Sequence, residues 1–421
     1  MSILSQPTIS LQKIKSDEKW SFKELSRKDT RYITHGYHRY PAKFIPQLAA
    51  KLISGYSAEN DLIVDPFLGS GTTLVEAKVL KRRSFGCDIN PVACLISRAK
   101  TESIEPDILK NETESFIKRI ELRIEKNDIK LVRIEHPKIA RWFDEKTKIE
   151  LEIVLDEINR INSEKIKTFI LCCFSHILKN VSRWNMKSNK PVIDKNKKST
   201  DLIWILKRHM NYMIKSNNQY FEELVTGIDS EIMCQDARKI TLDDNSATLM
   251  VTSPPYVTSY EYADLHQLTV LWLSYAKDLN EFSKKFIGTN KSKDEKINMN
   301  SEIAEYIVEI ISKNNMKKAV SNYFSQMNQV FQESYRYLKD DGKMCMVIGN
   351  TKLLDVEIKN TEVFLEQASK TGFKYEKIIK REIPFKTLPQ IRDEKTGRFT
   401  NNSNNNKTLA YPTEYILIMK K

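Results

Sequence analysis

Four consecutive residues, Ser253, Pro254, Pro255 and Tyr256, bring together a hydroxyl, rigid carbonyls and an aromatic face. Two consecutive prolines fix two φ angles and remove two backbone donors, so the turn is stiff and its carbonyls are open acceptors. Such a turn suits a planar group bearing an amine. The amine would donate to Ser253 and to the Pro254 carbonyl, while the ring stacks on Tyr256. Pro-Pro also makes ordinary rigid turns at strand ends, so this set alone names no reaction.

A second set lies in DPFLGSGTT (65–73), where Gly69 and Gly71 are two apart. Glycines at that spacing let the backbone turn tightly and approach a ligand closely. A helix starting behind them would offer unpaired N–H groups to an anionic group. A further acid, Asp88 in GCDINP, stands where a carboxylate can hydrogen-bond ribose hydroxyls. The phosphate-loop pattern is excluded, because no Lys-Ser/Thr follows the glycines. The dinucleotide fingerprint is excluded too, because Leu74 takes the third glycine position. What remains is a nucleoside whose charged group is a carboxylate, and S-adenosylmethionine fits that description.

These residues need strands and helices to hold them. DLIVDP (61–66) reads as a strand ended by Pro66, GTTLVEAKVLKR (71–82) as a helix, RSFGCDINP (83–91) as a strand and VACLISRAK (92–100) as a helix. That alternation predicts a parallel sheet with crossover helices. Residues 102–228 lack the sheet texture and carry helical spacing, as in FIKRIELRIEKNDIKLVRI and KIELEIVLDEINRI. Sheet texture returns at EIMCQDA (231–237), ATLMVTSPPY (247–256), GKMCMVIGN (342–350), YEKIIKREIPF (375–385) and TEYILIMKK (413–421). A Lys-rich helical stretch covers 278–335, and TGRFTNNSNNNKT reads as a surface loop. The expected organisation is an arm at 1–34, a core at 35–101 and 229–421, and a helical insertion at 102–228.

The chain has 421 residues, with 68 Lys+Arg against 55 Asp+Glu and a net charge of +13. Hydrophobic residues at 40% suffice for a packed core, so global disorder is excluded. No run of 18 apolar residues is present, which excludes a membrane-spanning helix. The N-terminus lacks a signal-peptide pattern. The cysteines form no C-x-x-C pair and read as reduced thiols. Residues 179–215 hold ten Lys/Arg and two Asp, a balance of +8, with Trp184, Trp204 and Tyr212 interleaved. Most charge runs are solvated helix faces. A local excess this large favours a polyanion, with Arg183, Lys187, Lys190, Lys195, Lys197 and Lys198 as phosphate contacts. His35, His38 and His266 read as structural or supporting groups, and no metal is expected.

In this order, DPFLGSGTT, GCDINP and TSPPY resemble the S-adenosylmethionine-dependent amino-methyltransferases of DNA, the cytosine-N4 and adenine-N6 enzymes. HGYHRYPAKFIPQLAAKLI (35–53) is similar to a segment common in such proteins. The resemblance implies an α/β fold: a Rossmann-like methyltransferase sheet, mostly parallel with an antiparallel C-terminal strand, carrying the helical insertion. It implies that Asp65, Pro66, Phe67, Gly69, Ser70, Gly71 and Thr72 hold the methionine part of the cofactor. Asp88 would take the ribose, Asp236 the adenine amino group, and Lys43 and Phe44 would close over the methionine end. Ser253, Pro254, Pro255 and Tyr256 would form the catalytic loop.

Serine at the first position of that loop is more typical of cytosine-N4 enzymes. Adenine-N6 methylation, RNA methylation and non-catalytic nucleic-acid binding are the alternatives on the same core. The target base would be extruded from the duplex. No Pro-Cys dipeptide is present to supply a thiol nucleophile, so no covalent intermediate is implied. The implied partners are double-stranded DNA and a separately encoded restriction endonuclease, in a prokaryotic cytoplasm. The insertion lies between Asp88 and Asp236, which is not the commonest place for a target-recognition region in that family.

Overall fold

The computed structural model describes residues 11–41, 43–126, 136–188, 190–198, 200–224, 227–257, 262–289, 297–353, 356–383, 391–393, 404–409 and 413–421. Residues 127–135, at the end of FIKRIELRIEKNDIKLVRI, and 394–403, in the Asn-rich connection, lie outside them.

The expected alternation is present. α1 (Pro46–Tyr56) leads into β1 (Leu62–Asp65), α2 (Thr72–Val79), β2 (Arg83–Cys87) and α3 (Pro91–Thr101). α3 starts cleanly because Pro91 occupies its first turn and the Asn90 side chain accepts from the Val92 amide. The insertion follows as α4 (Pro106–Glu125), α5 (Pro137–Trp142), α6 (Glu145–Asn159), α7 (Glu164–Val181) and α8 (Leu202–Glu223). The sheet resumes with β3 (Ser230–Met233) and β4 (Ala247–Thr252). α9 (Tyr262–Leu265), α10 (Gln267–Trp272), α11 (Leu279–Ser283), α12 (Glu302–Ile310) and α13 (Asn314–Tyr337) precede β5 (Leu338–Ile348). A ribbon of β6 (Thr351–Leu353) and β7 (Val356–Ile358) is followed by α14 (Asn360–Thr371) and β8 (Lys374–Glu382). A second ribbon, β9 (Ile391–Asp393) with β10 (Lys407–Leu409), precedes β11 (Thr413–Lys420).

Seven strands form the main sheet in the order β3-β2-β1-β4-β5-β11-β8. β1 to β5 pair in parallel, and β11 runs antiparallel to both β5 and β8. The order reverses between β1 and β4. The crevice outside the carboxyl ends of those two strands is where open α/β sheets bind ligands. The central strands are covered on both faces, so they read as nearly continuous apolar runs. Ile63, Leu249, Val251, Cys345 and Val347 pack towards α1, while Val64, Met250, Met344 and Met346 pack towards α13 and α14.

Two elements differ from the sequence reading. β5 begins at Leu338, before the expected 342, because Lys339, Asp340 and Asp341 are exposed and hide the strand from an apolar pattern. The described part of the N-terminal arm is not a free arm. Leu11 is buried in the core, and the Asp17 amide donates to the Lys380 carbonyl at 2.8 Å, strapping the segment along β8. The insertion packs over α3: one core joins Val92 and Ile96 to Phe116, Val154, Phe174, Leu206 and Trp272. It therefore shares a core with α3 and with the residues of α9 to α11.

Candidate active site

The carboxyl ends of β1, β2, β3 and β4 face one cleft of about 820 Å³, open mouth included. Parallel strands make this unavoidable, since each chain leaves the sheet on the same side. The cleft is lined by Asp65, Pro66, Phe67, Gly69, Ser70 and Thr72 from the first loop, and by Asp88 and Asp236 from the next two. Ser253 and Pro255 come from the fourth, and Lys43 and Phe44 from the segment before α1. The structure thus gathers residues that the sequence spreads over more than 200 positions.

The three acids do different work. Asp65 is buried and accepts from the Phe67 amide at 3.1 Å, Thr252 Oγ1 at 2.6 Å and Thr73 Oγ1 at 2.7 Å. It clamps the end of β1 to the end of β4 and the start of α2. Burial still pushes its carboxyl up to about 6. Asp88 accepts from the Asn90 amide at 2.9 Å and the Gly69 amide at 3.0 Å, one on each oxygen. Each oxygen keeps a further lone pair for a ligand hydroxyl. Its carboxyl is also pushed up by burial to about 6. Asp236 is forked by Arg238, with Nη2 to Oδ2 at 2.7 Å.

The glycine loop is held from behind by α3. Ser97 Oγ donates to the Gly69 carbonyl at 3.2 Å, and Lys100 Nζ donates to the Ser70 carbonyl at 2.8 Å. Ser97 and Lys100 are three apart and share the inner face of the helix. Lys100 is fully buried, and burial drives its ammonium well below the usual range. Gly71 has φ +72°, and a Cβ there would stand 2.9 Å from Ser97 Cβ. Sequence reasoning missed both gripping residues. Their only signal is a lysine on a helix face that is otherwise apolar.

The Ser-Pro-Pro-Tyr turn follows β4. Tyr323 Oη donates to the Pro255 carbonyl at 2.8 Å and fixes its orientation. Pro254 is buried behind the turn. Tyr256 is half-buried and packs against the core that contains Tyr323, so its ring is not among the cleft walls. Tyr40, Tyr262 and Phe286, which sequence reasoning did not select, are aromatic walls instead. Tyr40 and Tyr262 stack with centroids 5.7 Å apart. Lys43 Nζ donates to the His35 carbonyl at 3.0 Å, and burial pushes it down to about 8.

The residues fit S-adenosylmethionine. α2 has no side-chain cap, so its first-turn amides are open to a carboxylate. Asp88 suits ribose hydroxyls, and Asp65 and Asp88 suit a ligand carrying positive charge.

The basic stretch behaves less uniformly than its sequence suggests. Arg183, Lys187, Lys190, Lys195 and Lys198 are exposed. Lys197 is not available in the same way. It donates to the carbonyls of Lys179, Ser182 and Trp184 at 2.7, 2.5 and 3.1 Å, which occupies all of its ammonium protons. Trp184 is buried and stacks on Trp142, whereas Trp204 is 54% exposed with Arg208 over its ring. Among the described residues, no three His, Cys, Asp or Glu side chains are grouped to hold a metal. No described helix is long and apolar enough to cross a membrane.

Residues 7–99 and 247–421 match a family described as DNA methylase, of the N6/N4 type. The chain is 26% identical to the Type II methyltransferase M.MvaI of Kocuria varians, over 93% of this chain and 92% of that one. It is 23% identical to the Type II methyltransferase M.MjaII of Methanocaldococcus jannaschii, over 82% and 77%. It is 24% identical to the Type II methyltransferase M.BsoBI of Geobacillus stearothermophilus, over 82% and 79%. The insertion lies between the two matched parts, yet the similarity to M.MvaI extends over nearly the whole chain.

Proposed function

The chain belongs to the S-adenosylmethionine-dependent N4/N6 DNA methylase family, and on that premise we propose that it methylates the exocyclic N4 amine of cytosine in duplex DNA. The observation that carries this reading is the place of Ser253. It opens the rigid turn after β4 and lines the same cleft as Gly69 and Asp88. Bound S-adenosylmethionine supplies an electrophilic methyl group on sulfur. Asp88 holds the ribose, the start of α2 holds the carboxylate, and Lys43 and Phe44 cover the methionine end.

The cytosine amine is a poor nucleophile because its lone pair is delocalised into the ring. Ser253 Oγ and the Pro254 carbonyl would accept hydrogen bonds from its N–H groups and draw the nitrogen towards tetrahedral geometry, and the proton displaced by the methyl group would leave by way of the Ser253 hydroxyl to solvent. Attack in line with the leaving sulfur then needs mainly positioning and electrostatics. The extruded base would sit against the aromatic walls Tyr40 and Tyr262, which line the cleft. Extrusion costs a few kcal/mol, which stacking offsets in part. Target recognition is assigned to residues 102–228, on the support of the exposed cations in 183–198. The Type II names of the relatives support a role in a prokaryotic modification system beside a separate endonuclease.

The test is nucleoside analysis of duplex DNA after incubation with the enzyme and labelled cofactor, followed by methylation-sensitive sequencing to map the site. N4-methylcytosine is expected. N6-methyladenine as the sole product would overturn the choice of base, and labelling of RNA alone would overturn the choice of substrate.

A further inference from the structure

A second cleft, of about 1,760 Å³ with its open mouth, adjoins the first and shares Tyr40, Lys43 and Phe44 with it. One wall is the segment 27–46, a second is the end of α7 with Trp184, and a third is the junction of α9 and α10. Among the described residues the lining includes Arg27, Arg31, Arg39, Lys43 and Lys179, and no Asp or Glu. The partners these cations have are neutral: Arg39 donates to Asn180 Oδ1 at 2.9 Å, and Lys179 donates to the Ser188 carbonyl at 2.8 Å. Burial and the neighbouring Arg39 hold Lys179 down at about 8. Cations crowded in this way repel one another, and an entering polyanion relieves the repulsion.

A second observation comes from His266, at the same junction. Asn90 Oδ1 caps α3 by accepting from the Val92 amide at 3.0 Å, which leaves its Nδ2 facing His266 Nδ1 at 2.8 Å. Nδ2 can only donate, so His266 accepts at Nδ1. Burial holds His266 down at about 4, so the ring is neutral at neutral pH and carries its proton on Nε2. That N–H is buried, has no partner among the described residues, and belongs to a residue that lines the cleft. A buried donor without a described partner, on a residue that lines the same cleft as these cations, is a site prepared for an anionic oxygen.

We propose that this second cleft binds the phosphodiester backbone beside the extruded nucleotide, with Arg31, Arg39 and Lys179 neutralising phosphates and His266 Nε2 donating to a phosphate oxygen. The two clefts adjoin at Tyr40, Lys43 and Phe44, so a nucleotide whose base enters the first would have its backbone directed to the second. The cleft adjoins the segment 183–198, because Trp184 lines it and Lys179 at its wall donates to the Ser188 carbonyl. The inference rests on reading the chain as acting on an extruded base in DNA.

The experiment uses the full chain and a duplex carrying the mapped site, with single methylphosphonates placed at each phosphate near the target nucleotide. A methylphosphonate removes one charge, so the wild type is expected to lose about tenfold in affinity at one or two positions. Arg31→Ala/Arg39→Ala, at two exposed positions, should lose little more on the same duplexes. Its slope of log affinity against log salt should fall by about 1.8, from two phosphates at about 0.9 each. His266→Phe should lose sensitivity at one position, and His266→Gln, which keeps a donor, should regain it. Equal methylphosphonate penalties in the wild type and the arginine variant, or an unchanged salt slope, would overturn the proposal. Cofactor affinity of the arginine variant should match the wild type. Methyl-adenine as the product would change the base assignment and leave this result standing.

Discussion

Asp65 and Asp88 carry opposite demands, because the fold wants them uncharged and the cofactor wants them ionised. Their carboxyls sit at about 6 in the free protein, above the value near 3.9 of an unfolded aspartate. The folded state therefore binds more protons than the unfolded chain between those values. The stabilisation from this source is fully present below about pH 4 and is lost as pH rises through about 6. Cofactor binding has the opposite sign, since ribose hydroxyls and a cationic ligand favour the carboxylate. Affinity for S-adenosylmethionine should fall up to about tenfold per pH unit below 6. Calorimetric titration between pH 5 and 8 measures it, and Asp88→Asn should bind weakly with a flatter profile. An affinity independent of pH in the wild type would remove Asp88 from the ribose. Gly71→Ala should cost about 1–2 kcal/mol from the left-handed backbone alone, with the contact to Ser97 added. Thermal unfolding measures that loss, and an unchanged melting temperature would contradict it.

At the scale of elements, α3 does more than cross from β2 into the insertion. Its inner face holds the glycine loop through Ser97 and Lys100, its N-cap Asn90 orients His266, and its outer residues Val92 and Ile96 belong to the insertion core. Lys100→Met keeps the helix and most of the volume but leaves the Ser70 carbonyl without its donor. A buried acceptor in that state costs about 1–3 kcal/mol. The expected signature is a lower melting temperature with a raised KM for the cofactor, and helical circular dichroism that is retained. A wild-type KM would show that the loop keeps its shape without the lysine. Lys197 works the same way on the segment after α7. Lys197→Ala should lower thermal stability with little effect on the salt dependence of DNA binding, whereas Lys187→Ala/Lys190→Ala/Lys195→Ala/Lys198→Ala should do the reverse.

For the whole molecule, the insertion shares one apolar core with α3 and with α9 to α11. The cluster that joins Val92 and Ile96 to Phe116, Phe174 and Trp272 has no internal seam at residue 102 or 228. Deleting 102–228 should expose the outer face of α3 and give an aggregated product rather than an active minimal methylase. Sedimentation and cofactor binding of the deletion check this, and a monomeric product that binds cofactor would show two separable units. The positive balance of the chain is also divided by the fold. Part of it lies exposed after α7, part lines the second cleft, and part, as with Lys100 and Lys197, is turned inward as structural donors.

The sequence by itself determined what depends on near neighbours. Two glycines between a strand and a helix, an acid at the next strand end, and Ser-Pro-Pro-Tyr after a third strand are local patterns. Parallel strands then oblige their ends to meet at one crevice, so much of the lining of that cleft was legible in the sequence. Only the tertiary structure decided contacts between residues distant in the chain. Lys100 reaches Ser70 across 30 positions and Asn90 reaches His266 across 176, and no periodicity announces either. Which lysine of a basic run turns inward depends on where backbone carbonyls converge. That Tyr262 and not Tyr256 lines the cleft accompanies the hold of Tyr323 on the Pro255 carbonyl. Helix packing sets both, and a one-dimensional pattern of residue types records the faces of helices but not the partners those faces meet.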